Sequence, residues 1–114
     1  MITNAKINSA EIMIEDHGIL TFMLYTDTAD YSIGIGGYGL DYTKGGKRVS
    51  WKYTSELIRT IMEVVGVRKW SDLKGKLIRI DDKDTGGRVR KIGNILTDTW
   101  LDLDTFFKER VDGD

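Results

Sequence analysis

A chain of 114 residues, 40% hydrophobic and 31% charged, has the size of one domain and can bury roughly two-thirds of its unfolded surface without cross-links. A single domain over 1–114 is expected. The sequence has no cysteine and no proline, which excludes disulfides and thiolate metal sites and leaves the turns to Gly and Asp. A net charge of −1 argues against a mimic of DNA, which needs a strongly negative surface.

No apolar run approaches the ~20 residues of a membrane helix. The N-terminal MITNAKINSAE lacks the basic-then-apolar pattern of a secretion signal, so a cytoplasmic protein without membrane partners is expected. The near-neutral total hides a division along the chain. Residues 1–43 carry one Lys against six acids, residues 44–91 fourteen Lys and Arg against six acids, and residues 92–114 two against six. The basic middle is where an anionic partner would bind, unless folding interleaves the segments.

In residues 5–15, Ile12 and Ile14 alternate with Glu11, Met13 and Glu15, predicting a strand with one buried face. Asp16, His17 and Gly18 make a tight turn. Residues 19–25 form a second strand, apolar on both faces apart from Thr21. A polar connection at 27–30 leads into a third strand over 31–42, whose second half is softened by Gly34, Gly36, Gly37 and Gly39. Three consecutive hairpin-linked strands make an antiparallel meander.

Residues 44–50, KGGKRVS, read as an exposed loop. A helix over 54–65 follows, capped by Thr54 or Ser55, with Glu56 near the positive end of its dipole. Leu57, Ile58, Ile61, Met62 and Val65 form its apolar stripe, and Gly66-Val67 is a Schellman-type stop. Residues 68–74 are a connector in which Ser71 caps a single turn and Trp70 folds back onto the core. Strands follow over 76–80 and 88–95 across a polar turn at 81–87. Asp104 then caps a short terminal helix, and the tail after Lys108 frays. The expected architecture is α+β: an antiparallel sheet of about five strands, beginning with the meander, and one main helix packed on it.

The motifs that suggest chemistry have structural explanations. Gly34, Gly36 and Gly39 fit G-x-G-x-x-G, but a dinucleotide site needs a helix N-terminus directly behind the loop, and LDYTKGGKR follows instead. A bulged or sharply coiled strand accounts for the glycines. Gly45-Gly46-Lys47 fails as a phosphate loop because Arg48 stands where Ser or Thr must bind magnesium. Asp82 cannot open a calcium loop, since Gly93 falls where the bidentate Glu belongs. His17 is the only histidine and reads as a turn residue, so no multi-histidine metal site exists. Among the many acids no spacing singles out a catalytic carboxylate pair. No catalytic residue, metal or cofactor is therefore assigned, and a non-enzymatic protein is expected.

The basic residues have the stronger claim. Lys44, Lys47, Arg48 and Lys52 cluster around the loop with Trp51, and Arg88, Arg90 and Lys91 sit beside the second hairpin. Arg and aromatic rings together suit phosphates, bases or an acidic protein surface; the alternative is a solvated face that keeps the domain soluble.

The blocks Glu15-Asp16-His17-Gly18-Ile19-Leu20-Thr21, Gly36-Gly37-Tyr38-Gly39-Leu40-Asp41, Val64-Val65-Gly66-Val67, Trp70-Ser71-Asp72-Leu73-Lys74-Gly75-Lys76 and Ile92-Gly93-Asn94-Ile95, with Trp100 before Phe106-Phe107, resemble a family of small, mostly uncharacterised proteins of tailed phages and prophages. The resemblance spans nearly the whole chain and supplies no active site. It implies a protein acting in the host cytoplasm, in an anti-defence context such as that of anti-CRISPR inhibitors. The leading expectation is a stoichiometric inhibitor binding a host protein or ribonucleoprotein complex through the 44–53 segment. The competing one is a sponge that sequesters an anionic nucleotide signal between glycine backbone and Arg side chains. Glycine-rich strand edges leave room for a homodimer.

Overall fold

The computed structural model describes residues 2–81 and 89–110. The expected turn at 81–87 lies, past Asp81, outside the described residues, as do Arg88 and the tail beyond Arg110. Among the described residues the elements run β1 (Ile2–Ile14), β2 (Leu20–Asp27), β3 (Ser32–Gly39), β4 (Asp41–Lys44), β5 (Lys47–Ser50), α1 (Thr54–Val65), a 3-10 turn (Trp70–Leu73), β6 (Leu77–Asp81), β7 (Lys91–Asn94), β8 (Trp100–Asp102) and α2 (Leu103–Glu109). The α+β class and the N-terminal meander hold. The main sheet has six antiparallel strands in the order β3-β2-β1-β6-β7-β8, and β4-β5 is a separate hairpin.

One face of the sheet carries Ala5, Ile7, Phe22, Leu24, Ile35, Ile78, Ile80, Ile92 and Leu101, all buried. The register places Ala5 beside Ile78, Leu24 beside Ile35, and Ile80 beside Ile92 and then Leu101. α1 covers this face with Leu57, Ile61, Val64 and Val65. Its amphipathic spacing is what the sequence predicts. Gly66 ends it in the left-handed region at φ 93°, with the amides of Gly66 and Val67 both donating to Met62 O, the Schellman-type closure expected there.

The caps fall elsewhere than expected. Tyr53 occupies the N-cap of α1 without a side-chain bond, because the Thr54 hydroxyl donates instead to Leu40 O at 2.8 Å and ties the helix start to the sheet. Lys69, not Ser71, precedes the 3-10 turn. Asp102, not Asp104, caps α2 by accepting from Thr105 N at 3.1 Å, since Asp104 is held by Tyr38 and Arg90. Trp70 does fold back, its indole donating to Ala10 O at 3.1 Å.

Two irregularities decide which residues face the core. In β1 the register shifts between Ile7 and Ser9, so the inward phase passes from Ala5 and Ile7 to Ala10, Ile12 and Ile14. Ile12 and Ile14 take the predicted face, but they lie beyond the layer that covers it and are 41% and 71% exposed. β6 pairs only with Ile2–Lys6, so the sheet is narrow there.

The second irregularity lies in β3. Thr21 pairs with Gly39 and Met23 with Gly36, leaving one extra residue on the glycine strand. Ile33 and Ile35 point inward before it, Tyr38 and Leu40 after it. The backbone needs Gly36, whose φ is 132° and whose Cβ would lie 2.3 Å from Phe22 O; a Cβ at Gly37, at φ 82°, would meet only Met23 Sδ, in ordinary contact at 3.9 Å. The expected bulged strand is therefore present, and the predicted 31–42 strand breaks at Leu40.

Tyr38 stacks on Phe107 with centroids 4.4 Å apart, and Phe107 stacks on Trp51 at 4.8 Å. The Tyr38 hydroxyl also donates to Asp104, two residues beyond β8. A flat six-stranded sheet would hold β3 and β8 roughly 24 Å apart, so this contact requires the sheet to curl around its core.

Substituting Gly36 by Ala should lower unfolding free energy by at least about 2 kcal/mol, from strain and the Phe22 carbonyl clash. Gly37→Ala should cost about 1–2 kcal/mol from its positive φ alone. Urea denaturation of the two variants tests the order; a costlier Gly37 variant would contradict the bulge argument.

Candidate functional site

The exposed loop expected over 44–50 is a two-stranded hairpin. Asp41 pairs with Ser50, Tyr42 with Val49, Thr43 with Arg48 and Lys44 with Lys47. Gly45 and Gly46 have φ values of 60° and 78°, the doubly positive pattern of a type I′ turn, whose twist matches the flanking strands. Local turn chemistry makes this hairpin, and the bulge upstream releases it from the main sheet.

Its base is fixed at three points. Trp51 N donates to Leu40 O at 3.3 Å, and the Trp51 ring is buried against Phe107 and edge-on to Tyr53 and Phe106. Asp41 accepts from Leu20 N at 3.1 Å and forms an ion pair with Arg48, which also donates to Thr43 Oγ1 at 2.7 Å. The bond from Arg48 holds the Asp41 carboxyl below its ordinary pKa, helped by the Leu20 amide.

These contacts sort the predicted binding residues. Trp51 is a core residue rather than an exposed aromatic, because its ring closes the stack under the hairpin. Arg48 is engaged by Asp41 and Thr43. Lys44 and Lys47 stand exposed and directly opposite each other at the tip, with no ion pair among the described residues. Lys52, also exposed, lies with Nζ 5.2 Å from the Tyr53 ring centroid.

The second basic group belongs to a different setting. Arg90 reaches Asp104 at 3.4 Å, and Lys91 lies in register between Asp81 and Asp102. They line a cavity of about 380 Å³ in which Asp81, Asp102 and Asp104 face Arg90, Lys91 and Lys108. Among the described residues opposite charges balance there, so they do not continue a basic patch. Arg88 lies outside the described residues.

His17 remains a turn residue. Its side chain is 83% exposed and Nδ1 lies 3.1 Å from Glu15 Oε2. Among the described residues no group of three or more His, Cys, Asp or Glu is placed to hold a metal ion, and no helix is long and apolar enough to cross a membrane. A basic group that the sequence reading passed over lies on the connector after α1: Arg68, Lys69, Lys74 and Lys76 are all exposed. Its signal in the sequence is the density of basic residues around one acid, Asp72. Comparison with protein-family models, curated proteins and solved structures finds no match.

Because folding depresses the Asp41 pKa, its ion pair stabilises the protein above the ordinary Asp pKa of about 3.9 and ceases to do so as pH falls through the lower folded value. Asp41→Asn keeps an acceptor for Leu20 N. It should therefore be less stable than the parent near pH 6 and lose less stability between pH 5 and pH 2, as measured by urea melts across that range.

Proposed function

We propose that this chain is a non-enzymatic binding protein whose β4-β5 hairpin is a contact finger for an acidic surface on a protein or ribonucleoprotein partner. One observation carries the reading: Lys44 and Lys47 form a cross-strand pair of like charges at the exposed tip. Like charges directly opposite each other destabilise a hairpin, and no carboxylate among the described residues offsets them. An acidic partner would supply the missing counter-charge and remove that repulsion on binding. The buried Trp51 and the Asp41–Arg48 pair hold the base of the finger in one geometry, which reduces the ordering cost of association. The resemblance to small phage proteins points the partner toward a host defence complex, inhibited by stoichiometric occupation of a surface.

The alternative is a sponge that sequesters an anionic nucleotide signal, and two of the groups it would use are committed to the fold. Gly36 packs against Phe22 and cannot offer an open backbone cradle, and Arg48 is held by Asp41.

The test has two parts. Threonine at Lys44 should raise hairpin stability by about 0.2–1 kcal/mol by relieving the repulsion, read from thermal melts. Lys44→Glu with Lys47→Glu should leave the melting profile of a folded protein but abolish protection of phage on defended hosts. The parent protein should inhibit the purified defence nuclease at an equimolar ratio, and the double variant should not. Undiminished protection by the double variant would overturn the proposal.

A further inference from the structure

The connector between α1 and β6 borders an open, shallow groove of about 500 Å³ lined by Gly66, Val67, Arg68, Ser71, Asp72, Lys74 and Lys76. Its volume falls within the range of small-molecule sites. Its backbone is pinned at both ends. Leu73 is fully buried, the Trp70 indole bonds Ala10 O, Ile7 N donates to Lys76 O at 2.9 Å, and Gly75 N donates to Ile7 O at 2.7 Å. The charged side chains project outward from this fixed frame.

The fold does not use these cations. Six arginines lie among the described residues, and five are engaged. Arg48, Arg59, Arg90 and Arg110 pair with carboxylates, and Arg79 donates to the carbonyls of Asn94 and Thr97. Arg68 is the exception. Nor do the cations cap α1: of its last carbonyls, Val64 O and Val65 O accept from Asn94 Nδ2 at 2.9 and 3.5 Å, and Met62 O takes the amides of Gly66 and Val67. Lys74 and Lys76 likewise have no ion pair among the described residues.

A concavity lined mainly by one sign of charge focuses field and concentrates small counter-ions. The lining chemistry narrows the class. A guanidinium fork, two ammonium groups and the Ser71 hydroxyl suit phosphate oxygens. Val67 is the only sizeable apolar side chain in the wall, so the aromatic or aliphatic anchor of a protein partner has no pocket to fill. Asp72 repels a bare anion but accepts hydrogen bonds from hydroxyl groups.

We propose that this groove binds a small phosphate ester with free sugar hydroxyls, its phosphate held by Arg68, Lys74 and Lys76 and its hydroxyls facing Asp72. The site is separate from the hairpin, and its failure would leave the hairpin reading untouched. Amide resonances of residues 66–76 should be followed by NMR during titration with ribose 5-phosphate, inorganic pyrophosphate and ribose at constant ionic strength. Saturable shifts with ribose 5-phosphate and none with ribose are expected. Lys74→Glu with Lys76→Glu should weaken ribose 5-phosphate at least tenfold while the melting temperature and the rest of the spectrum persist. Lys44→Glu with Lys47→Glu should leave its affinity unchanged. Asp72→Asn should weaken ribose 5-phosphate and leave or improve pyrophosphate, which a merely electrostatic patch would not do. Absence of saturation, equal response to pyrophosphate and ribose 5-phosphate, or indifference to the Lys74 and Lys76 reversals would overturn it.

Discussion

The single extra residue that β3 carries opposite Thr21 and Met23 changes which side chains of the following chain face the core. With regular alternation after Ile33 and Ile35, position 37 would point inward and Tyr38 outward. The bulge reverses that phase, and Tyr38 and Leu40 turn in. Tyr38 then stacks on Phe107 from the opposite end of the chain and bonds Asp104, while Phe107 stacks on Trp51. Each aromatic pair adds about 0.5–1.5 kcal/mol beyond burial. The larger consequence is topological, because the stack brings the end of β3, the strand pair β4-β5 and α2 together across the curled sheet.

The hairpin follows from the same event. Leu40, turned inward and fully buried, bonds Leu20 O through its amide and receives Trp51 N on its carbonyl. The chain therefore leaves the sheet at Leu40 and returns to it at Trp51, and the residues between must pair with each other. Asp41 sits at the exit and serves both neighbours, accepting from Leu20 of the sheet and from Arg48 of the hairpin. A two-glycine turn completes a unit with almost no choice of conformation. Lys44 and Lys47 are forced into opposition by that register, which a flexible loop would not have done.

Much of this was legible in the sequence where one local rule governs. The α1 boundaries follow from apolar spacing and the Gly66 stop, and the meander follows from alternation and the turns at Asp16-His17-Gly18 and 27–30. The glycine string was readable as sheet construction because no helix N-terminus followed it. What could not be read is anything that depends on phase across a bulge. Ile12 and Ile14 take the predicted face, but which part of that face is covered depends on where β6 stops pairing, a tertiary fact. Thr54 was a sound cap by type, yet its hydroxyl had a better acceptor in Leu40 O, far along the chain. Trp51 appeared as an exposed partner for cations because its stacking ring, Phe107, lies more than fifty positions away.

The charge division along the sequence also acquires a physical reading. Carboxylates and arginines cancel one another locally, at Asp41 with Arg48, Glu56 with Arg110 and Asp104 with Arg90. A guanidinium engages a carboxylate through a fixed fork and so suits such structural pairs, whereas an ammonium on a flexible stem stays hydrated. Asp41 and Asp104, from the first and last segments, thus neutralise arginines of the middle one, Glu56 of the middle segment neutralises Arg110 of the last, and the surplus left at the surface is mainly lysine. Two groups of that surplus stand at the hairpin tip and on the α1–β6 connector. The tip presents a raised pair of charges without walls, which fits contact with a broad acidic surface, while the connector sets its charges along an open groove, which fits a small anion. Shape, rather than the sign of the charge, separates the two candidate sites.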